Sequence, residues 1–326
     1  MEPINIGKMR NLQSCATNEG IFTILAADHR DALKALLHPG APEMTSTGEM
    51  VDLKLAICST LAPVATAVLL DPIFSAPQAI ATGKIPNGIG LLVGLEEQGY
   101  LGDPFNRHTT LIDGWSVEKV NRMGANGVKM LLFYHPHAGS ATKKQEILVR
   151  SIVAECQKYQ IPFFLEPISY SLWSEIKKDS AEFAILRPQM IIDAAQRLSE
   201  TGIDILKIEF PVTAKFEQDR GVWSKACKTL NDVCRVPWVL LSAGEPYDIF
   251  KEQVRIACDQ GCSGFVVGRA VWQEAVNLEG QERMEFLKNV ALPRLSELSQ
   301  IAKEHGSAWF SRYPTSPVDE EWYKTF

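Results

Sequence analysis

A lysine interrupts the apolar run Gly202-Ile203-Asp204-Ile205-Leu206-Lys207-Ile208-Glu209-Phe210-Pro211. A buried strand has no packing use for an ammonium, because desolvating an unpaired charge costs several kcal/mol or more. Such a lysine is paired, turned to solvent, or put to chemical use. The chemistry open to it is nucleophilic: a neutral amine attacks a carbonyl and forms a Schiff base. A free lysine of pKa about 10.4 is only roughly 0.04% neutral at pH 7, and lowering that pKa to about 8 raises the fraction to roughly 10%. A second lysine, Lys129 of Gly127-Val128-Lys129-Met130-Leu131-Leu132-Phe133, is a candidate for the neighbouring cation that does the lowering. The bland alternative for Lys207 is a surface or salt-bridged side chain, with Glu209 or Asp204 as partner.

The runs that carry these lysines belong to a series. Eight stretches rich in Val, Ile, Leu and Phe lie at 21–28, 66–72, 88–95, 127–134, 162–168, 204–210, 238–244 and 264–270. Their hydrophobicity is continuous rather than alternating, as a parallel strand covered on both faces requires. Between them lie segments of helical spacing. Pro188 suits a first helical turn, followed by Ile191, Ala194, Ala195 and Leu198; Ile147, Leu148 and Ile152 mark another helix, and Leu287, Ala291, Leu295 and Leu298 the last. Gly124, Gly202 and Gly261 each stand just before a new strand, where a helix needs its left-handed stop. Eight strand-helix units predict a (β/α)8 TIM barrel. A doubly wound open sheet is the alternative, but no Gly-x-Gly-x-x-Gly turn follows the first strand.

In such a barrel the chemistry lies at the carboxyl ends of the strands. The polar residues of the eight runs gather there: Asp28, Asp71, Lys129, Glu166, Lys207, Ser242 with Gly244, and Gly268 with Arg269. Singly, each has an ordinary role, as helix cap, ion-pair partner or carboxylate clamp. Jointly they predict a catalytic mouth. The loops after strands 7 and 8 of these barrels often hold a phosphate, and Ser242, Gly244, Gly268 and Arg269 suit that task through close backbone approach, a hydroxyl and a guanidinium fork. His135-Pro136-His137 invites a metal reading, but no third ligand has recognisable spacing, so surface decoration is expected. Trp115, Trp223, Trp238 and Trp272 are expected to pack rather than stack on a sugar.

Bulk properties narrow the rest. The chain has 326 residues, 46% hydrophobic and 22% charged, ordinary for a globular protein. A net charge of -6 argues against a broad nucleic-acid surface, while a local cation cluster still admits a small anionic ligand. Seven cysteines, none in a Cys-x-x-Cys pair, predict reduced thiols and a cytoplasmic location. The opening Met1-Glu2-Pro3-Ile4-Asn5 does not read as a secretory signal, and no run reaches membrane-spanning length. One domain is expected over 1–326, with a core at about 17–305 and a C-terminal extension at 306–326; a homo-oligomer is compatible with a barrel exterior.

Several motifs in order carry a family resemblance. Leu25-Ala26-Ala27-Asp28-His29-Arg30-Asp31-Ala32-Leu33-Lys34, Val68-Leu69-Leu70-Asp71-Pro72 and Gly127-Val128-Lys129 lead, followed by Phe163-Phe164-Leu165-Glu166 and Asp204-Ile205-Leu206-Lys207-Ile208-Glu209. Leu241-Ser242-Ala243-Gly244 and Gly268-Arg269-Ala270-Val271-Trp272 complete the set. Over about 17–305 the chain resembles the class I tagatose-1,6-bisphosphate aldolases and the related sulfofructose-phosphate aldolases. That resemblance implies a barrel aldolase working through a lysine imine, with no metal or cofactor required. It implies that Lys207 forms the imine at the ketose C2, that Glu166 shuttles protons, and that Lys129 holds substrate oxygens and depresses the pKa of Lys207. Asp28 would act on the hydroxyl whose deprotonation breaks C3–C4, and Ser242, Gly244, Gly268 and Arg269 would grip the C1 phosphate. One departure stands out: the family pattern has glutamine after the first-strand aspartate, and here that residue is His29, a substrate-binding candidate that is bulkier and titratable.

The expected activity is therefore cleavage of a phosphorylated ketose to dihydroxyacetone phosphate and a three-carbon aldehyde. A ketose 1,6-bisphosphate giving glyceraldehyde 3-phosphate is the first expectation, and a 6-deoxy-6-sulfo ketose 1-phosphate giving sulfolactaldehyde the second. The rivals are a metal-dependent aldolase using His135 and His137, and a non-catalytic barrel that senses a sugar phosphate.

Overall fold

The computed structural model describes residues 4–314 and 318–324. Its eight strands are β1 (Phe22–Ala26), β2 (Ala67–Leu70), β3 (Gly90–Gly94), β4 (Gly127–Phe133), β5 (Phe163–Ile168), β6 (Ile205–Ile208), β7 (Trp238–Leu241) and β8 (Gly264–Val267). Neighbours pair in parallel around a closed barrel, and β8 returns to β1 with Phe22 opposite Gly264. All eight apolar runs are strands. Most stop short of the predicted carboxyl end, because the last residues of each run leave the ladder to form the mouth.

Each strand is buried on both faces, which is why the runs do not alternate in hydrophobicity. The inward face supplies Phe22, Ile24, Leu69, Leu92, Phe164, Ile205, Val239 and Val266, which fill the barrel interior. The outward face packs against the helices. The helix Thr47–Leu61, opened by a capping box in which Ser46 and Glu49 satisfy each other's backbone N–H groups, buries Met50, Leu53, Ile57 and Leu61. Fully burying a side chain of this size stabilises the fold by about 1.5–3 kcal/mol, and Leu53→Ala would cost about 2–5 kcal/mol once the cavity is included.

The helical periodicities hold with two corrections. In the helix Ser140–Lys158 the buried face runs through Val149 and Ile152, and Ile147 is 68% exposed. Pro188 does not open a helix; it lies inside the helix Ala181–Ser199, whose true cap is Ser180, its side chain accepting from the Phe183 N–H. Leu287, Ala291, Leu295 and Leu298 are all fully buried, although Leu287–Ala291 winds as a π-helix before the helix Leu292–His305. Gly124, Gly202 and Gly261 have φ of 84°, 97° and 100°, the left-handed stops expected of them. Trp223, Trp238 and Trp272 are core residues, and Trp115 donates its indole N–H to the Gly94 carbonyl. All seven cysteines are buried and unpaired.

The amino ends of the strands are closed by both chain ends. The helix Ile6–Ser14 sends Lys8 to Asp204, at 2.7 Å. Trp309 stacks on Phe22 with ring centroids 6.5 Å apart, Tyr313 donates to the Asp204 carbonyl at 2.5 Å, and Arg312 donates to the Cys234 carbonyl at 2.8 Å. The stretch 306–326 read as an extension is thus, over 309–313, part of the barrel floor; residues 315–317 and 325–326 lie outside the described set, as do 1–3 at the start of the chain. Among the described residues no helix is long and apolar enough to cross a membrane.

Candidate active site

At the carboxyl ends of the strands lies a cavity of about 410 Å³. The period of two that faces alternate residues inward also puts the charges there. One pleat above Phe164 and Ile205 on the same inward face come Glu166 and Lys207, while Lys129 lies level with Phe164 in the β4–β5 register. These three side chains are buried, with 2%, 6% and 4% exposure for Lys129, Glu166 and Lys207.

Lys129 is the hub. Its Nζ lies 2.8 Å from Asp28 Oδ2, 2.7 Å from Glu96 Oε1 and 2.8 Å from Glu166 Oε2. Burial alone would push its pKa down, but the three carboxylates outweigh burial and hold it well above the ordinary lysine value. The converse holds for its partners. Burial favours the neutral acid at Asp28 and Glu166, yet Lys129 and then Lys207 outweigh it and keep both pKa values below the usual carboxylate range.

Lys207 is bound to the same network through the other oxygen of Glu166, at 2.8 Å from Oε1. Neither bland partner holds it. Asp204 is taken by Lys8 below the barrel, and Glu209 by Lys178 at 3.1 Å, by Arg187 at 3.5 Å and by the Ser169 hydroxyl at 2.6 Å. A buried amine ion-paired to one carboxylate, in the wall of a cavity, has the geometry of a nucleophile with its proton acceptor in place.

The β7 and β8 loops form the opposite wall. Ala243 and Gly244 follow Ser242 with φ of 50° and 82°. A positive φ is strained for alanine, and such strain persists where the surrounding structure enforces it. Gly244 has a φ of 82° that strains any other residue, and a Cβ there would press on the Arg269 guanidinium carbon at 3.3 Å. Gly268 is equally constrained, with a Cβ position 2.7 Å from His29 Cε1 and 3.0 Å from the Ala26 carbonyl. Arg269 has no carboxylate partner among the described residues, its Nε is buried without a hydrogen bond, and burial lowers its pKa.

His29 stands edge-on to Trp272, centroids 5.4 Å apart, with its Nδ1 3.9 Å from Asp28 Oδ1. Burial pushes its pKa down to about 3, Arg269 adding to the effect, so it is neutral at physiological pH. Of the nine buried side-chain N or O atoms without a partner among the described residues, four belong to cavity residues: His29 Nδ1, Arg30 Nε, Glu96 Oε2 and Arg269 Nε. Buried polar atoms are rarely left unpaired, so a concentration of them in one cavity marks a place where a polar ligand completes the bonding.

The structure thus brings Asp28, His29, Lys129, Glu166, Lys207, Ser242, Gly268 and Arg269 to one cavity, with Gly244 behind Arg269. Asp71 is different. It is ion-paired to Lys54, accepts from the Ile73 and Phe74 N–H groups at 2.9 and 2.7 Å, and contributes nothing to the cavity wall. The turn-forming role is the one it plays. His137 is exposed and lies 3.1 Å from Asp193, as surface decoration predicts. His135 is not decoration: it is buried against Tyr170 and Trp173, and burial lowers its pKa to about 4. Among the described residues no three His, Cys, Asp or Glu side chains form a metal-binding group.

Glu96 and Glu209 were not singled out as site residues. Both follow from the same period of two, Leu92-Gly94-Glu96 and Ile205-Lys207-Glu209, extended one step past the strand.

Comparison with known proteins agrees with this architecture. Residues 22–274 match the family model described as DeoC/LacD family aldolase. A tagatose 1,6-diphosphate aldolase of Lactococcus lactis subsp. lactis is 30% identical over 321 residues, covering 93% of this chain and 97% of the relative. Tagatose 1,6-diphosphate aldolase 2 of Streptococcus agalactiae is 29% identical, covering 94% and 98%. Among solved structures, an archaeal fructose 1,6-bisphosphate aldolase superposes with a TM-score of 0.56 at 21% identity, covering 89% of this chain and 99% of that one. A Corynebacterium glutamicum protein gives 0.63 at 17% identity, covering 91% and 92%. With the family pattern running through all eight strands and the short helix after the last, and with curated relatives matched over nearly their whole length, this chain belongs to the DeoC/LacD family of aldolases.

Proposed function

We propose that this chain is a class I aldolase that cleaves a ketose bearing a phosphate on C1, through an imine on Lys207, to dihydroxyacetone phosphate and an aldehyde. The observation that carries the reading is the 2.8 Å contact between Lys207 Nζ and Glu166 Oε1 at the cavity wall, with the second Glu166 oxygen tied to Lys129.

The chemistry follows from those contacts. Lys207 passes a proton to Glu166 and attacks the C2 carbonyl. Glu166 returns the proton to the carbinolamine hydroxyl, which leaves as water, giving a protonated imine. Asp28 takes the proton of the C4 hydroxyl; the O4 electrons form the aldehyde carbonyl, and the C3–C4 electrons move into the imine to give an enamine. The proton that Asp28 took from O4 is delivered to C3 of the enamine, and addition of water to the imine then releases dihydroxyacetone phosphate and restores the amine. Lys129, fixed as a cation by three carboxylates, holds Glu166 and Asp28 in their ionised forms and offsets the charge that develops on O4. Arg269, with the Ser242–Gly244 and Gly268 backbone, receives the C1 phosphate.

Several of the relatives are named for tagatose 1,6-diphosphate, which supports a phosphorylated ketose as the substrate class. The test is reduction with borohydride in the presence of dihydroxyacetone phosphate. Inactivation with an adduct on Lys207 is expected; an adduct on another lysine, or none, overturns the reading. Full turnover after exhaustive chelation would remove the metal-dependent rival, and absence of turnover on a panel of ketose phosphates would favour the sensor.

A further inference from the structure

The part of the cavity away from Arg269 has its own composition, and it bears on what the far end of the substrate carries. Five cations line the cavity, and four of them are already neutralised by the protein. Lys129 is held by Asp28, Glu96 and Glu166, and Lys207 by Glu166. Lys178 is held by Glu209. Arg30 is the remaining one on the side of β1 and β3. One terminal nitrogen lies 3.3 Å from Glu97 Oε1, and the other donates to the Glu96 carbonyl. Only Arg269, among the described lining cations, has no carboxylate partner.

The lining residues beside Arg30 carry no further cation, and Lys34 and Lys54, outside the lining, are paired with Asp31 and Asp71. Glu97, Gln98 and Asp31 line the same wall, and the Asp31 N–H is bound to Gln98 Oε1 at 2.7 Å. A second phosphate or a sulfonate there would meet the carboxylates of Asp31 and Glu97 and a guanidinium whose two terminal nitrogens are taken by Glu97 and the Glu96 carbonyl, leaving only its buried Nε. Strong anion sites supply several uncompensated donors, as Arg-lined phosphate sites do. Hydroxyl groups, by contrast, find acceptors at Asp31, Glu97 and Gln98 and need no counter-charge. His29 adds no cation, being neutral above about pH 3.

We propose that the preferred ketose carries one anionic group only, the C1 phosphate, and ends in an uncharged polyol, so that the aldehyde released is neutral. This rests on the imine reading above and narrows its substrate class. It departs from the bisphosphate and sulfo-sugar that the sequence resemblance suggests.

The experiment is run in the condensation direction, with dihydroxyacetone phosphate as donor and a choice of acceptor aldehydes. A kcat/KM at least tenfold higher for glyceraldehyde than for glyceraldehyde 3-phosphate or sulfolactaldehyde is expected. Any smaller margin, or a preference for either anionic aldehyde, overturns the proposal. A second arm uses Glu97→Gln, which frees the Arg30 guanidinium without touching the barrel core. The ratio of anionic to neutral acceptor rates should rise at least fivefold, and a ratio that does not move counts equally against the assignment. Borohydride trapping of dihydroxyacetone phosphate on Lys207 separates the two levels. If the adduct forms and the anionic aldehydes are preferred, the imine reading stands and this inference falls. If no adduct forms, both fall.

Discussion

Lys207 and Lys129 share one carboxylate, each 2.8 Å from a different oxygen of Glu166. A carboxylate bridging two ammonium groups is held in one orientation, so its free lone pairs and its proton-accepting oxygen are fixed before substrate arrives. The two lysines are not equivalent: Lys129 has three carboxylate partners and Lys207 has one, which is the asymmetry that the proposed division into fixed cation and nucleophile requires.

Replacing the bridge should slow both halves of the reaction. Glu166→Gln keeps the shape but cannot accept a proton, and kcat is expected to fall by roughly 10²–10⁴. The rate of borohydride-trappable adduct formation should fall with it. A decrease of less than tenfold in both would remove Glu166 from the proton path.

Asp28 separates the steps. Asp28→Asn is expected to lower ketose cleavage by roughly 10²–10⁴, because the C4 hydroxyl loses its base. Trapping of dihydroxyacetone phosphate on Lys207 should continue, since that step needs no C4 hydroxyl. Loss of trapping in the variant would mean that Asp28 acts on the imine instead.

The phosphate end is tested through Arg269. Charge-assisted hydrogen bonds are worth about 1.5–3 kcal/mol, so Arg269→Ala should cost roughly 10- to 150-fold in kcat/KM. Arg269→Lys should recover part of this only, because an ammonium cannot make the two-pronged contact. Steady-state kinetics with a C1-phosphorylated ketose gives the answer; a full recovery by lysine would contradict the forked grip.

His29 supplies a pH dependence of stability. Its folded pKa of about 3 lies below the ordinary histidine value of 6.5, so the unfolded chain binds more protons between those limits. Stability therefore rises with pH across roughly pH 3–6.5 and is flat above it as far as this group is concerned. His29→Gln should remove about 3 kcal/mol of the stability change between pH 6.5 and 4. Urea unfolding of both proteins at a series of pH values measures it, and parallel curves would rule it out. For the same reason kcat/KM should carry no inflection near pH 6.5 from this residue.

Asp71 and Lys54 are predicted to matter for folding and not for chemistry. The pair is fully buried, and removing one partner strands the other charge. Lys54→Met should lower the unfolding free energy by about 3–5 kcal/mol, with KM for the ketose unchanged; a raised KM with normal stability would return Asp71 to the site.

The strands were legible because a parallel barrel strand, covered on both sides, leaves a run of apolar residues that nothing else in the chain imitates. The ends of the runs were less so. A glutamate two residues beyond β3 reads as an ordinary loop residue until the inward alternation of Leu92, Gly94 and Glu96 is followed past the ladder. Lys207 and Glu166 were legible as charges out of place in apolar text, but not as partners of each other. Their contact depends on barrel closure and register, which pair residues about 40 positions apart. Pro188 misled because proline is a good first-turn residue; the Ser180 cap and the acidic Glu182 in the first turn are the stronger start signal. His135 was misjudged because its burial comes from Tyr170 and Trp173, on another loop.

The Trp309–Tyr313 latch has a practical side. It ties β1 to the residue before β6 and to Cys234 from the end opposite the chemistry, so cutting the chain before residue 309 would unseat Trp309 from Phe22 and Tyr313 from Asp204. A shortened version that loses catalysis should be checked for thermal melting first, since its defect would begin at the base of the molecule and reach Lys207 only through the strands.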